Sequence, residues 1–234
     1  MALILRVDVD KPYGHSNIIT RLMSKVAEDY WFPKFHSIYL YHLENFLQYC
    51  NAENIAGFIY HRICTAPNDK ITELLKSGNH KFGMHAENTR DNFTFKSELE
   101  QLKNISPSLK IDSFSKHGSG EIKLGKYHYP KYEPEKYFEW AKENQIEFYF
   151  GNGIAKNNEG LKPKDNFYPN MFWIERDYRD ENFSSIEKIV EIAATQDVPV
   201  LIHPCNYETH KEVRDDFKLL VKIAKENNIN WKVF

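Results

Sequence analysis

The sequence predicts an α/β fold: a closed or nearly closed barrel of about seven parallel strands in a single domain, residues 1–234. Two observations predict it. Apolar runs of four to six residues alternate with amphipathic helical stretches, and strands separated by helices pair in parallel. Seven or eight such units fit in 234 residues with no glycine-rich fingerprint after the first strand, which favours a barrel over an open dinucleotide-binding sheet.

The first strand is Leu3-Ile4-Leu5-Arg6-Val7-Asp8-Val9-Asp10, stopped by Pro12 and Gly14. Strand side chains alternate faces, so Arg6, Asp8 and Asp10 share one. Two carboxylates at the end of a buried strand need a cation: a metal, a shared proton, or a neighbour such as Arg6 in an internal ion pair. Two amphipathic helices follow, Asn17 to Trp31 and Phe35 to Tyr49, separated at Pro33.

Ala56 to Tyr60 is a second strand, ending in His61-Arg62. Pro67-Asn68-Asp69 opens a helix that Gly78 closes. Lys81 to Met84 is the third strand, running into His85-Ala86-Glu87-Asn88-Thr89, and the helix after it packs Phe95, Leu99 and Leu102 on one face. Leu109 to Phe114 is the fourth strand, ending in Ser115-Lys116-His117-Gly118. A polar, tyrosine-rich loop with Tyr127, Tyr129 and Tyr132 then leads to a helix from Pro134.

Ile146 to Phe150 is the fifth strand, which Gly151-Asn152-Gly153 is expected to break. Met171 to Glu175 is the sixth, followed by Arg176. Ser184-Ser185-Ile186-Glu187 resembles a capping box for a helix ending near Thr195. Val198 to Ile202 is the seventh strand, ending at His203-Pro204. Glu208 to Glu226 reads as one final helix and Ile229 to Phe234 as a last strand.

Composition narrows the function classes. A net charge of −2 gives no general nucleic-acid or membrane signal. Three cysteines without framework spacing (Cys50, Cys64, Cys205) suit a reduced interior rather than a disulfide scaffold. The first strand leaves no room for a leader and no apolar run reaches membrane-spanning length, so the expected location is cytoplasmic.

The chemically capable residues collect at strand ends. Asp8 and Asp10, His61 and Arg62, His85 and Glu87, His117, Glu175 and Arg176, and His203 all follow the apolar part of a strand. In a βα barrel those ends converge on one mouth, where active sites sit. Asp and His together suit zinc or another divalent transition metal. His36, His42 and His210 fall on helices, His80 at the opposite end of its strand, and Cys205 reads as a buried thiol.

These residues resemble the polysaccharide deacetylase family, also known as the NodB-homology or carbohydrate esterase family four fold. Ser77-Gly78-Asn79-His80-Lys81-Phe82-Gly83-Met84-His85 is similar to the segment leading into the family's metal histidine. Leu201-Ile202-His203 matches its late Leu-x-His motif, and Leu5 to Asp10 is similar to a subgroup with an Asp-Val-Asp start. The resemblance implies a deformed (β/α) barrel and metal-dependent removal of an acetyl or formyl group from an N-acylated sugar. It implies Asp8 as general base, Asp10 and His85 as metal ligands and His203 as general acid, with the two aspartates open to exchange.

The family's second metal histidine falls here on Thr89, and its Arg-Pro-Pro-Tyr segment is replaced by Ser115-Lys116-His117-Gly118. His117 therefore either supplies the third ligand or orients substrate, with Glu87 as a further candidate, and Arg6 or Arg176 orients the base. Arg62, Arg176 and Tyr127 are the expected substrate contacts. The expected reaction is deacylation of a nucleotide-linked or lipid-linked sugar in surface-polysaccharide (O-antigen or capsule) assembly, with a divalent metal, zinc foremost, and no nucleic-acid partner. The alternatives are a barrel metallo-amidase acting on a non-sugar substrate and a catalytically degenerate sugar-binding protein.

Overall fold

The computed structural model describes residues 1–14, 16–30 and 38–234. The strands are β1 (Ala2–Val9), β2 (Gly57–His61), β3 (Lys81–Ala86), β4 (Ile111–Lys116), β5 (Phe150–Ile154), β6 (Tyr168–Trp173), β7 (Val198–Ile202) and the short β8 (Asn230–Trp231). The first seven run parallel in the order β4-β3-β2-β1-β7-β6-β5, with β8 added beside β1. Among the described residues the backbones of the two ends of the sheet meet at a bridge between Ser113 and Glu147. There the Phe114 N–H donates to the Glu147 carbonyl, and the Glu147 N–H donates to the Asp112 carbonyl, each at 2.9 Å. The curled sheet is a deformed (β/α) barrel, as predicted.

The helices are α1 (Ile18–Tyr30), α2 (Tyr41–Ala52), α3 (Asp69–Ser77), α4 (Asn92–Ile105), α5 (Pro134–Asn144), α6 (Ile186–Ala193), α7 (Pro204–Thr209) and α8 (Lys211–Glu226). The predicted break at Pro33 and the helix start at Phe35 lie outside the described residues. Asn68 caps α3 by accepting the Ile71 N–H at 2.9 Å, and Ser185 caps α6 by accepting the Lys188 N–H at 3.2 Å.

All eight residues of β1 are buried, and their alternation sorts the interior into two layers. Leu3, Leu5, Val7 and Val9 join the main core between sheet and helices. Ile4 points the other way, into a small barrel interior with Phe58, Tyr60, Phe150, Tyr168, Met171 and Leu201. Aromatics plug its lower end: the Phe234 ring lies 4.9 Å from Phe58 and 4.7 Å from Tyr149. Arg6, Asp8 and Asp10 continue the inward row from Ile4 towards the mouth.

Two predicted elements are corrected. Strand five begins at Phe150 and runs through Gly151-Asn152-Gly153, which was expected to end it. A Cβ on Gly151 would lie 2.5 Å from the Pro169 carbonyl oxygen, so glycine is what lets β6 approach. The predicted final helix is two helices. His210, with φ −113° and ψ 110°, separates α7 from α8.

Candidate metal centre and active site

The ends of β1, β3, β4 and β7 deliver Asp8 and Asp10, His85, His117 and His203 to the mouth. Past the end of β1, Asp10 Oδ1 lies 3.2 Å from His85 Nε2 and 3.3 Å from His117 Nδ1. One donor atom from each of these three residues lies within 4.8 Å of the others, the spacing a metal ion requires. Asp10 Oδ1 and His117 Nδ1 are buried and make no hydrogen bond. Two buried polar atoms facing one another without a bond are what a cation between them would satisfy, so the donor set fits a divalent metal.

The electrostatics favour ligation. Burial pushes the Asp10 carboxyl up, but His117 and His203 beside it outweigh this and hold it well below the usual carboxylate range. Burial, reinforced by the Arg62 guanidinium, holds His117 well below an ordinary histidine, so the ring is neutral and its lone pair free for a metal. His85 Nδ1 bonds Ser115 Oγ at 2.7 Å, which orients Nε2 towards Asp10.

Asp8 sits one pleat deeper, 3.6 Å from His85 Nε2. Arg6 grips both its oxygens, Nε to Oδ1 at 2.9 Å and Nη2 to Oδ2 at 2.6 Å. The same guanidinium donates to the Gly151 carbonyl at 2.7 Å and to Asn152 Oδ1 at 3.0 Å, and Asn152 Nδ2 donates to the Lys116 carbonyl at 2.8 Å. The internal ion pair and the candidate metal site are therefore compatible: Arg6 takes Asp8 and leaves Asp10 to the histidines.

Across the mouth, His203 Nδ1 donates to Glu175 Oε1 at 2.9 Å, and its Nε2 lies 3.6 Å from Asp10 Oδ2. The His203 N–H and the Asn206 amide hold the same Glu175 oxygen at 2.9 and 3.2 Å. Burial alone would lower the His203 pKa, but the Glu175 carboxylate, with Asp10 behind it, raises it to about 9. A cleft of about 540 Å³ opens over these groups, walled also by Lys116, Asn152, Trp173, Tyr178, Ile122 and Leu124.

The remaining sequence candidates fall elsewhere. Arg62, expected to touch substrate, is 1% exposed. It donates to the Asp10 carbonyl at 2.5 Å, pairs with Glu87, and lies 3.4 Å from Glu28 on α1. It braces the ligand loop from behind, and Glu87 is engaged with it rather than with the donor cluster. Arg176 lies outside the cleft walls, bound to Asp216 at 2.7 and 3.0 Å. Tyr127 is likewise not a wall residue; the Lys126 ammonium lies 5.2 Å from its ring. Thr89 is buried 3.3 Å from the Tyr137 hydroxyl, away from the donors. His61 faces the outer core, its ring 5.3 Å from Phe82.

Sequence reasoning missed Ser115, Asn152 and Trp173. Ser115 was legible, since it shares a strand face with His117. The Trp173 ring lies 5.8 Å from His203, and its inward position follows from counting back two residues from Glu175.

No protein-family model matches the sequence, nor does any curated protein. Solved structures do match in fold. A probable polysaccharide deacetylase from Pseudomonas aeruginosa PAO1 superposes with a TM-score of 0.55 at 10% identity, over 99% of this chain and 87% of that one. A family 4 carbohydrate esterase from Streptomyces lividans gives 0.52 at 7% identity, over 100% and 91%. The allantoinase Puue gives 0.54 at 12% identity, over 99% and 86%. At these identities the likeness is one of architecture: the chain has the polysaccharide deacetylase fold.

Proposed function

We propose that this chain is a metal-dependent hydrolase that removes an N-acyl group, acetyl or formyl, from a sugar in surface-polysaccharide assembly. The observation that carries the reading is the convergence of Asp10, His85 and His117 at the mouth of a deacetylase fold, with two of their donor atoms buried and unbonded. Those three residues would hold the ion, zinc being the metal best suited to an Asp-His-His set. When bound, a divalent ion supplies Lewis-acid polarisation of the acyl carbonyl and lowers the pKa of the attacking water towards neutrality.

The protein's own groups do the proton work. Asp8, held by both prongs of Arg6, accepts the proton of the water. His203, kept cationic by Glu175, donates from Nε2 to the departing amine, so the C–N bond breaks to a neutral amine rather than an amide anion. Trp173 and Tyr178, with ring centroids 5.0 Å apart, offer an apolar wall for a sugar ring next to His203.

The test is metal content followed by acyl release. Purified protein should carry one divalent ion per chain. His85→Ala and His117→Ala should lose it; His203→Ala should keep it and lose turnover. Absence of stoichiometric zinc, cobalt, nickel or manganese sinks the reading, and loss of metal in His203→Ala sinks the acid assignment. The likeness to an allantoinase favours a second reading, an amidase on a non-sugar substrate, which a screen of N-acyl sugars against linear and cyclic amides separates from the first.

A further inference from the structure

Helix α1 carries an apolar face that no described part of the chain covers. Ile18, Ile19, Leu22, Val26 and Tyr30 are each more than half exposed. At 3.6 residues per turn they fall within about 120° of the helix circumference. The opposite face is the buried one, where Ser24 and Ala27 pack inward and Glu28 pairs with Lys11 and Arg62. Asp29 falls within the same arc, so the stripe is largely rather than wholly apolar. An apolar stripe of this extent on an exposed helix marks a docking surface.

The stripe continues across the mouth. The loop after β4 exposes Ile122 and Leu124, which also wall the cleft, and Lys126 lies 5.2 Å from the Tyr30 ring, joining the loop to α1. A second cavity of about 290 Å³, with a mostly apolar lining that includes Ile19, Ile38 and Tyr41, opens beside the stripe. The exposed charges around this face are Arg21, Lys25, Lys123 and Lys126 against Glu121, with Asp29 partly buried. Apolar side chains rimmed by an excess of cations complement an anionic lipid surface. An isologous contact between two copies would instead set the same cations against one another.

We propose that α1 and the 119–126 loop dock this chain on an anionic phospholipid surface, holding the mouth of the metal site against the bilayer. Resting on the deacylase reading, this makes the substrate a sugar carried on a lipid rather than on a soluble nucleotide. No described helix is long and apolar enough to cross a membrane, so the attachment is peripheral.

The experiment is sedimentation with vesicles of phosphatidylcholine alone and of phosphatidylcholine with phosphatidylglycerol in equal parts. The protein should sediment with the second and not the first, and added salt should release it. Leu22→Glu/Val26→Glu places charge at two exposed positions without touching the core. It should weaken partitioning by about tenfold or more while leaving circular dichroism, unfolding midpoint and metal content unchanged.

Three results overturn the proposal: no sedimentation with anionic vesicles, equal sedimentation of the variant, or light scattering showing a dimer that the variant converts to monomer. Vesicle binding needs neither metal nor substrate. A chain that docks but holds no metal therefore refutes the deacylase reading alone, and an active deacylase that ignores vesicles refutes the docking alone.

Discussion

Replacing Arg6 by Met should be among the most damaging single changes at the site, although Arg6 bonds to Asp8, Gly151 and Asn152 rather than to the Asp10-His85-His117 cluster. Its guanidinium is 1% exposed and Asp8 3%, and two charge-assisted bonds of 2.6 and 2.9 Å join them. Charge centres about 4 Å apart at an effective dielectric near 20 attract by roughly 4 kcal/mol, and stranding one member of a buried pair costs about 3–5 kcal/mol. The Gly151 carbonyl and Asn152 Oδ1 lose their donor as well. Arg6→Met is therefore expected to lower the unfolding free energy by about 3–5 kcal/mol, whereas Arg6→Met/Asp8→Asn, with no stranded carboxylate, should recover a kcal/mol or more of that. Urea unfolding at neutral pH with a chelator present measures both and removes metal linkage from the comparison. A cost below about 1 kcal/mol, or the same cost whether or not Asp8 is present, would refute the buried-pair account.

Three further predictions concern separate parts of the molecule. His80 accepts the Gly57 N–H on Nδ1 at 3.1 Å and donates from Nε2 to Asn51 Oδ1 at 2.8 Å, and burial lowers its pKa to about 4. The unfolded chain then binds the extra proton, so stability is full above pH 6.5 and falls as pH drops towards 4, by roughly 3 kcal/mol at most. Melting curves of His80→Gln should lack that slope; an unchanged slope assigns it elsewhere. Glu175→Gln should keep the metal and lower kcat by about a hundredfold or more, because His203 loses the partner that orients and charges it; wild-type turnover would show that Glu175 is not needed. Gly151→Ala puts a methyl 2.5 Å from the Pro169 carbonyl, and urea unfolding should register a loss of about 1–3 kcal/mol.

Alternation explains what the sequence made legible. Asp8 and Asp10 follow Arg6 at intervals of two, and His85, His117 and His203 each end a strand whose apolar run is plain to read. His61 looked identical by that criterion yet faces the helices. Phe58 and Tyr60 hold the inward positions of β2, and which parity points inward is decided by pairing with β1, Asp8 opposite Tyr60. Arg62 was placed at the correct strand end, but its partners Glu28 and Glu87 come from α1 and the loop after β3, a meeting that strand-by-strand reading does not contain. Gly151-Asn152-Gly153 read as a turn because glycine's local preference is clear, while the neighbouring backbone that requires it arrives from residue 169.

The narrow seam between β4 and β5 bears on how the site comes into being. Asn152 spans it with a side chain, bonded to Arg6 on one hand and to the Lys116 carbonyl, next to His117, on the other. Partners 146 residues apart must meet before that tie exists. Parallel sheets with such distant pairings form slowly, because chain closure precedes the contacts that reward it. The clamp on Asp8 should therefore reach its final form only when the barrel shuts. Asp10, His85 and His117 are all carried by the contiguous β1-to-β4 side of the sheet and can meet before it, so metal binding should precede turnover in refolding.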